Sequence, residues 1–288
     1  LKNSGELVLP KLPFDEDRGT LASGIEIGIV RLGRRRLRVG IRRSPGATHP
    51  PLLVFNGIGA SIEMAEPFIA ALEARDALTF DVPGVGGSPA PRVPYRLWML
   101  ARLTARLLDR FGYARVDVLG VSWGGAIAQQ FAWQYPTRAR RLVLAATSPG
   151  VLMVPGKPSV LVKMAGPQRY VSRTFMRDNA AHLYGGEFRR NPNLVGKHFH
   201  HARWPSRWGY LLQLLAGAGW TSLPFLHRIR QRTLVLAGND DPIIPLINAR
   251  LLRRLIPDAR LHVFDDGHLF LLTRPVECVR IVEQFLDE

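Results

Sequence analysis

The chain has 288 residues, 47% of them hydrophobic, enough for one large α/β domain or a domain carrying an insertion. Its single cysteine, Cys278, excludes a disulfide framework and any cysteine-built metal site, and suits a reducing cytoplasm. A formal charge of +16 and an isoelectric point near 11.1 suggest an arginine-rich solvated surface or an anionic partner; without a nucleic-acid module or an aromatic-interleaved basic box, nucleic acid is not expected.

In chain order, Leu1–Ser23 is polar and reads as irregular, and Leu1–Asp17 lacks the apolar core of a signal peptide. The first residue is leucine, not methionine, which leaves a removed leader open. No uninterrupted apolar run is long enough to span a bilayer. Ile25–Val30 and Leu37–Ile41 read as paired strands. In the second, Leu37, Val39 and Ile41 alternate with Arg36, Arg38 and Arg42, the pattern of a half-buried antiparallel edge guarded by arginines.

Leu52–Phe55 is a short, fully apolar strand that runs into Asn56-Gly57-Ile58-Gly59, a turn whose amides can approach a ligand. Ile62–Ala74 reads as helix and Ala77–Phe80 as the next strand. The glycine-rich loop Asp81–Ser88 lacks the Gly-Lys-Ser/Thr ending of a phosphate-binding loop and the spacing of a dinucleotide fingerprint, so neither reading applies. Tyr95–Phe111 is a long amphipathic helix. Strand Val116–Leu119, helix Ala126–Tyr135 and strand Leu142–Ala146 then continue the alternation, which predicts a mostly parallel sheet with helices on both faces.

Between that strand and that helix lies Gly120-Val121-Ser122-Trp123-Gly124-Gly125. A serine between glycines on a strand-to-helix turn reads as a nucleophile elbow, the feature by which the chain resembles the α/β-hydrolases. The turn holds the Ser122 hydroxyl above the sheet and aims the amide of Trp123, at a helix N-terminus, where an oxyanion forms. The second oxyanion donor is expected to be the amide of Ile58.

From Thr147 the rhythm breaks. Ser148–Arg230 shows helix-like pieces, prolines and many aromatics, among them Tyr170, Tyr184, Phe188, Phe199, Trp204, Trp208 and Trp220. It reads as a helical cap, residues 148–230, inserted into a core of residues 1–147 and 231–288. The core resumes with strand Thr233–Ala237, helix Leu246–Leu255, strand Arg260–Phe264 and helix Val276–Leu286.

A serine hydroxyl needs a base, and the base needs a partner to fix its tautomer. The α/β-hydrolase resemblance implies the order serine, acid, histidine. Of eight histidines, His49 precedes the elbow; His182, His198, His200, His201 and His227 fall in the expected cap; and His262 is inside a strand. His268 alone follows the last strand, in Asp265-Asp266-Gly267-His268. Asp240 and Asp241 both follow the penultimate strand; Asp241, before Pro242, is the preferred acid, and Asp265 and Asp266 read as solvated or turn-forming. No metal or organic cofactor is called for.

Several further stretches carry a narrower resemblance. FNGIGA (Phe55–Ala60), DVPGVGGS (Asp81–Ser88), GVSWGGAIAQQFA (Gly120–Ala132), LVLAAT (Leu142–Thr147), LMVPGKP (Leu152–Pro158), YGGEFRR (Tyr184–Arg190), LLAGAGWTS (Leu214–Ser222), DDPIIPLIN (Asp240–Asn248) and DDGHLFLLTRP (Asp265–Pro275) resemble the intracellular poly(3-hydroxyalkanoate) depolymerases of medium-chain-length polyesters. The likeness runs from about Leu52 to Leu286. It implies a cytoplasmic serine hydrolase acting on polyester at a granule surface, with the triad on Ser122, Asp241 and His268. The rival readings are a small-ester hydrolase, a carbon–carbon bond hydrolase or a perhydrolase on the same scaffold, and a catalytically silent binding protein. An apolar acyl pocket is expected under the cap with Trp123 at its floor, and the arginines are expected mainly on the outer surface.

Overall fold

The computed structural model describes residues 12–166, 173–191, 193–199 and 206–288. Tyr170, Trp204, His200 and His201 lie outside the described residues, as do the side chains of His198 and Phe199.

Nine strands form one sheet in the order β1-β2-β3-β5-β4-β6-β7-β8-β9. They are β1 (Glu16–Thr20), β2 (Glu26–Leu32), β3 (Arg35–Arg42), β4 (Leu52–Phe55), β5 (Ala77–Phe80), β6 (Val116–Val121), β7 (Ala139–Ala145), β8 (Arg232–Gly238) and β9 (Ala259–Phe264). Strands β4 to β9 pair in parallel. The short runs LLVF and ALTF are buried along their whole length, as expected for strands covered on both faces. The covering helices are α1 (Ile62–Ala71), α2 (Leu97–Arg110), α3 (Trp123–Gln134), α9 (Leu246–Leu255), the short α10 (Phe270–Thr273) and α11 (Pro275–Asp287). From β4 the chain crosses to β5 on one side and then to β6 on the other, so their carboxyl ends open a crevice at a topological switch point.

The N-terminal side departs from expectation in two ways. Strand β3 is not an edge: it pairs antiparallel with β2 and with β5, and β1 takes the edge position. Strand β1 comes from a stretch without hydrophobic alternation. It is placed by antiparallel pairing with β2, by the buried Phe14 just before it, and by charge, with Glu16 bound by Arg31 and Arg36 and Asp15 accepting from the Arg31 amide at 2.7 Å. The arginines are also not all outside. Arg38, 6% exposed, donates to Asp81 at 3.0 Å and to Glu63 at 2.6 Å. Arg75, fully buried, lies 3.3 Å from Asp117, which Arg140 also grips at 2.6 Å. Burial pushes the Asp117 carboxyl up, against the pull of Arg140 and Arg75.

The glycine-rich loop after β5 folds around its own first residue. Asp81 Oδ2 accepts from the Gly87 amide at 2.8 Å, and Oδ1 accepts from the Ile62 amide at 2.8 Å, satisfying the start of α1. The loop therefore serves a buried carboxylate and Arg38.

Between β7 and β8 the described residues form five helices: α4 (Pro158–Ala165), α5 (Arg173–Tyr184), α6 (Gly186–Arg190), α7 (Leu194–Phe199) and α8 (Arg207–Gly217). An isolated bridge between Gly150 and Thr221 ties the two ends of this segment. Among the described residues no helix is long and apolar enough to cross a membrane.

Candidate active site

Ser122 sits between β6 and α3 with φ 53° and ψ −120°, a left-handed conformation that costs a non-glycine residue about 1–3 kcal/mol. Its neighbours keep it there. The Ser122 amide donates to Ala145 O at 2.8 Å, and Thr147 Oγ1 donates to Ser122 O at 2.7 Å. Gly120 and Gly124 supply the missing bulk: a β-carbon on Gly120 would meet the Ala128 side chain at 2.6 Å, and one on Gly124 would collide with the Phe55 and Asn56 carbonyls. Strand β4 and helix α3 thus pack closely enough to force the turn.

The three residues singled out as serine, base and acid come together. Ser122 Oγ lies 3.0 Å from His268 Nε2, and His268 Nδ1 lies 2.7 Å from Asp241 Oδ2. This arrangement places a proton on Nδ1, donated to Asp241, and leaves Nε2 to accept from the serine hydroxyl. Both partners are secluded, His268 3% and Asp241 8% exposed. The second oxygen of Asp241 accepts from the Ile243 and Ile244 amides, each at 2.9 Å, which fixes the carboxylate plane.

Asp240, the neighbour, turns the other way. It accepts from the Gly186 amide at 2.8 Å and binds Arg189 at 2.6 Å. Elsewhere, His182 Nε2 lies 3.1 Å from Ser159 Oγ on the insertion, His49 faces Asp287 at 3.2 Å, and His262 stands edge-on to Phe264 within β9.

Asp266 differs from its reading as a solvated or turn residue. It is 1% exposed; Oδ1 accepts from the Glu187 amide at 2.8 Å and the Gly267 amide at 2.6 Å, while Oδ2 accepts from Thr273 Oγ1 at 2.6 Å. Asp265 does remain exposed, bound to Arg190 and Asn239. The insertion presses on the same loop through backbone: Tyr184 O accepts from the His268 amide at 2.8 Å. Gly186, with φ 47°, lies so close to Gly267 that a β-carbon would overlap its amide nitrogen. Tyr184-Gly185-Gly186 is therefore a seat for the histidine loop.

The turn after β4 is held from above. The buried Gly59 amide donates to Gln213 Oε1 of α8 at 2.8 Å. Gln213 is fully buried, and sequence reasoning missed it because its partner is a backbone amide 154 positions away. Ile58, on this turn, and Ser122 line one cavity of about 90 Å³. The Trp123 amide lies at the first position of α3, beside Ser122.

The cavity walls are mainly apolar, and most come from the core: Met64, Ala65 and Phe68 on α1, and Leu269, Leu271 and Leu272 around α10. The insertion adds Met164 and Tyr184. Trp123 is not at its floor. The indole instead faces α8, where a β-carbon on Gly217 would stand 3.2 Å from its Nε1. The Trp123 indole therefore packs on the insertion and not on the cavity wall.

The alpha/beta hydrolase fold model matches residues 50–275. A poly(3-hydroxyalkanoate) depolymerase of Ectopseudomonas oleovorans is 54% identical over 90% of this chain and 92% of its own length. Among solved structures, a hydrolase from Pseudomonas aeruginosa PA01 is similar with a TM-score of 0.75 at 25% identity, covering 91% of this chain and 98% of that one. The enol-lactonase from Burkholderia xenovorans LB400 shares the fold, with a TM-score of 0.77 at 24% identity over 90% of this chain and 100% of that one. The chain belongs to the alpha/beta hydrolase fold family, and within it to the same group as the Ectopseudomonas oleovorans poly(3-hydroxyalkanoate) depolymerase.

Proposed function

We propose that the protein is a serine esterase that hydrolyses poly(3-hydroxyalkanoate), with medium-chain-length polymer as its preferred class. The observation that carries the chemistry is the hydrogen-bonded series Ser122–His268–Asp241, at 3.0 and 2.7 Å, on the wall of an apolar cavity. The polymer class rests on the depolymerase relative, whose likeness extends through the insertion.

In the proposed reaction Ser122 Oγ forms a bond to the ester carbonyl carbon while His268 Nε2 takes the hydroxyl proton. The amides of Ile58 and Trp123 stabilise the oxyanion. Collapse breaks the ester C–O bond, and His268 returns the proton to the departing 3-hydroxyl group. Water, deprotonated by His268, then cleaves the acyl-enzyme and releases the free acid. Asp241 holds the imidazole and stabilises its charged form. The reaction uses no metal or organic cofactor. Residues 148–230 act as a cap on a core of residues 1–147 and 231–288. The setting is the cytoplasm, at the polymer surface, which suits the lone and buried thiol of Cys278.

A second reading, hydrolysis of small soluble esters, is favoured by the modest cavity volume. Clearing of polymer emulsions with short and medium side chains, measured beside a soluble ester, decides between them. Preferential clearing of the medium-chain emulsion is expected; turnover of the soluble ester with neither emulsion cleared overturns the polymer reading.

A further inference from the structure

Two helices, α8 and α2, carry exposed stripes that the reaction does not use. On α8, Trp208, Leu211 and Leu215 lie at i, i+3 and i+7 and are 42%, 43% and 38% exposed. The opposite face of the helix is buried and carries Gln213. On α2, Trp98, Arg102 and Arg106 lie at i, i+4 and i+8, all exposed, with Trp98 at 51%. The segment leading into α2 is tied to α8: Arg96 donates to Leu215 O at 2.8 Å, and Trp208 Nε1 donates to Pro91 O at 3.0 Å, with the exposed Val93 between these two anchors in sequence. These bonds set the exposed residues of α8 beside the start of the α2 stripe.

The charge here is one-sided. The α2 stripe borders a groove of about 280 Å³ whose lining includes Trp98, Arg102 and Arg106 together with Arg34 from the turn between β2 and β3 and Arg35 at the start of β3. None of these four arginines has a carboxylate partner among the described residues. Most other arginines near this end are paired: Arg31 and Arg36 with Glu16, and Arg110 with Asp15. A solvated surface charge of no consequence needs no exposed tryptophan beside it. A soluble anion, in turn, needs no row of leucines on the neighbouring helix.

We propose that this face docks the protein on an anionic phospholipid surface, with Trp98, Val93, Trp208, Leu211 and Leu215 entering the headgroup–acyl boundary and Arg34, Arg35, Arg102 and Arg106 meeting the phosphates. Apolar side chains beside a cluster of cations are the combination that such a boundary rewards, since burial and charge attraction add. The inference rests on the polyester reading only for why a granule surface is met; the binding itself is independent of it. The opposite face of α8 carries Gln213, which holds the Gly59 amide on the turn of Ile58, so the docking face and the site share one helix.

The test is co-sedimentation of the full chain with vesicles of phosphatidylcholine alone and of phosphatidylcholine mixed with phosphatidylglycerol. Binding to the anionic vesicles only, weakening as salt rises, is expected. Arg102→Gln/Arg106→Gln removes two cations without reversing charge and should weaken partitioning by roughly 25-fold, about fivefold for each arginine. Trp98→Ala/Leu211→Ser should weaken it at every salt concentration. All four positions are exposed, and hydrolysis of a soluble ester by each variant, unchanged, reports an intact fold and site. Equal binding to both vesicle types, no binding to either, or variants that bind as wild type would overturn the proposal. Adsorption to bare polymer without any preference for anionic lipid would also overturn it, showing a merely apolar surface. Loss of soluble-ester turnover in the wild type would instead sink the esterase reading and leave the docking result standing.

Discussion

On the sheet side of the cleft, three side chains at the ends of β6, β8 and β9 make the hydrogen-bonded series. On the insertion side, backbone groups do most of the holding: the Tyr184 carbonyl under the His268 amide, the Gly186 amide on Asp240, and the Glu187 amide on Asp266. The difference teaches where chemistry and geometry come from in this molecule. Strand ends are rigid, buried and parallel, so a side chain placed there keeps its position against its neighbours. Among the described residues the insertion lines the cavity with Met164 and Tyr184 and, through Gln213 and these backbone groups, holds loops that the sheet has already presented.

If that division holds, the largest effect belongs to the sheet side. Asp241→Asn should lower kcat by about 10⁴-fold, because the amide can no longer hold His268 in the required tautomer or stabilise its charged form. Asp240→Asn keeps an acceptor for the Gly186 amide and loses only the half-exposed pairing with Arg189, so a loss within about tenfold is expected. Steady-state kinetics on a soluble ester separates the two; equal losses would break the division.

A smaller effect is expected from the insertion. Gln213→Leu preserves volume but leaves the buried Gly59 amide without its acceptor, at a cost of about 1–3 kcal/mol. The turn carrying Ile58 should relax, lowering kcat by about tenfold with little change in KM, since the donor acts on the oxyanion and not on bound ester. A rise in KM with kcat unchanged would mean that α8 serves substrate binding and not the turn.

How much of this was legible in the sequence follows the same line. Leu52–Phe55 and Ala77–Phe80 were readable to the residue because strands buried on both faces are apolar throughout. The elbow was readable because two glycines are needed where β4 and α3 crowd Ser122, and His268 because its loop follows the last strand. Strand β1 was not, since backbone pairing with β2, one buried aromatic, Phe14, and ion pairs place it, without hydrophobic alternation. Nor was the burial of Arg38: the alternating pattern assigns it to a solvated face, and only the fold brings Asp81 and Glu63 to it. Asp266 and Gln213 bind backbone amides of distant segments, a role that leaves no spacing to recognise. The cavity was expected under the aromatic insertion, yet α1 and α10 supply most of its lining; among the described aromatics of the insertion Tyr184 reaches the cavity, while Phe188 packs behind it.

The central claim is that Ser122 is the nucleophile, and covalent labelling addresses it most directly. The protein would be treated with a fluorophosphonate, digested, and the adduct mapped by mass spectrometry while polymer clearing is followed in parallel. The account predicts one adduct, on Ser122, accumulating in step with the loss of clearing. An adduct on another serine with Ser122 unmodified, Ser159 beside His182 being the obvious competitor, would contradict it.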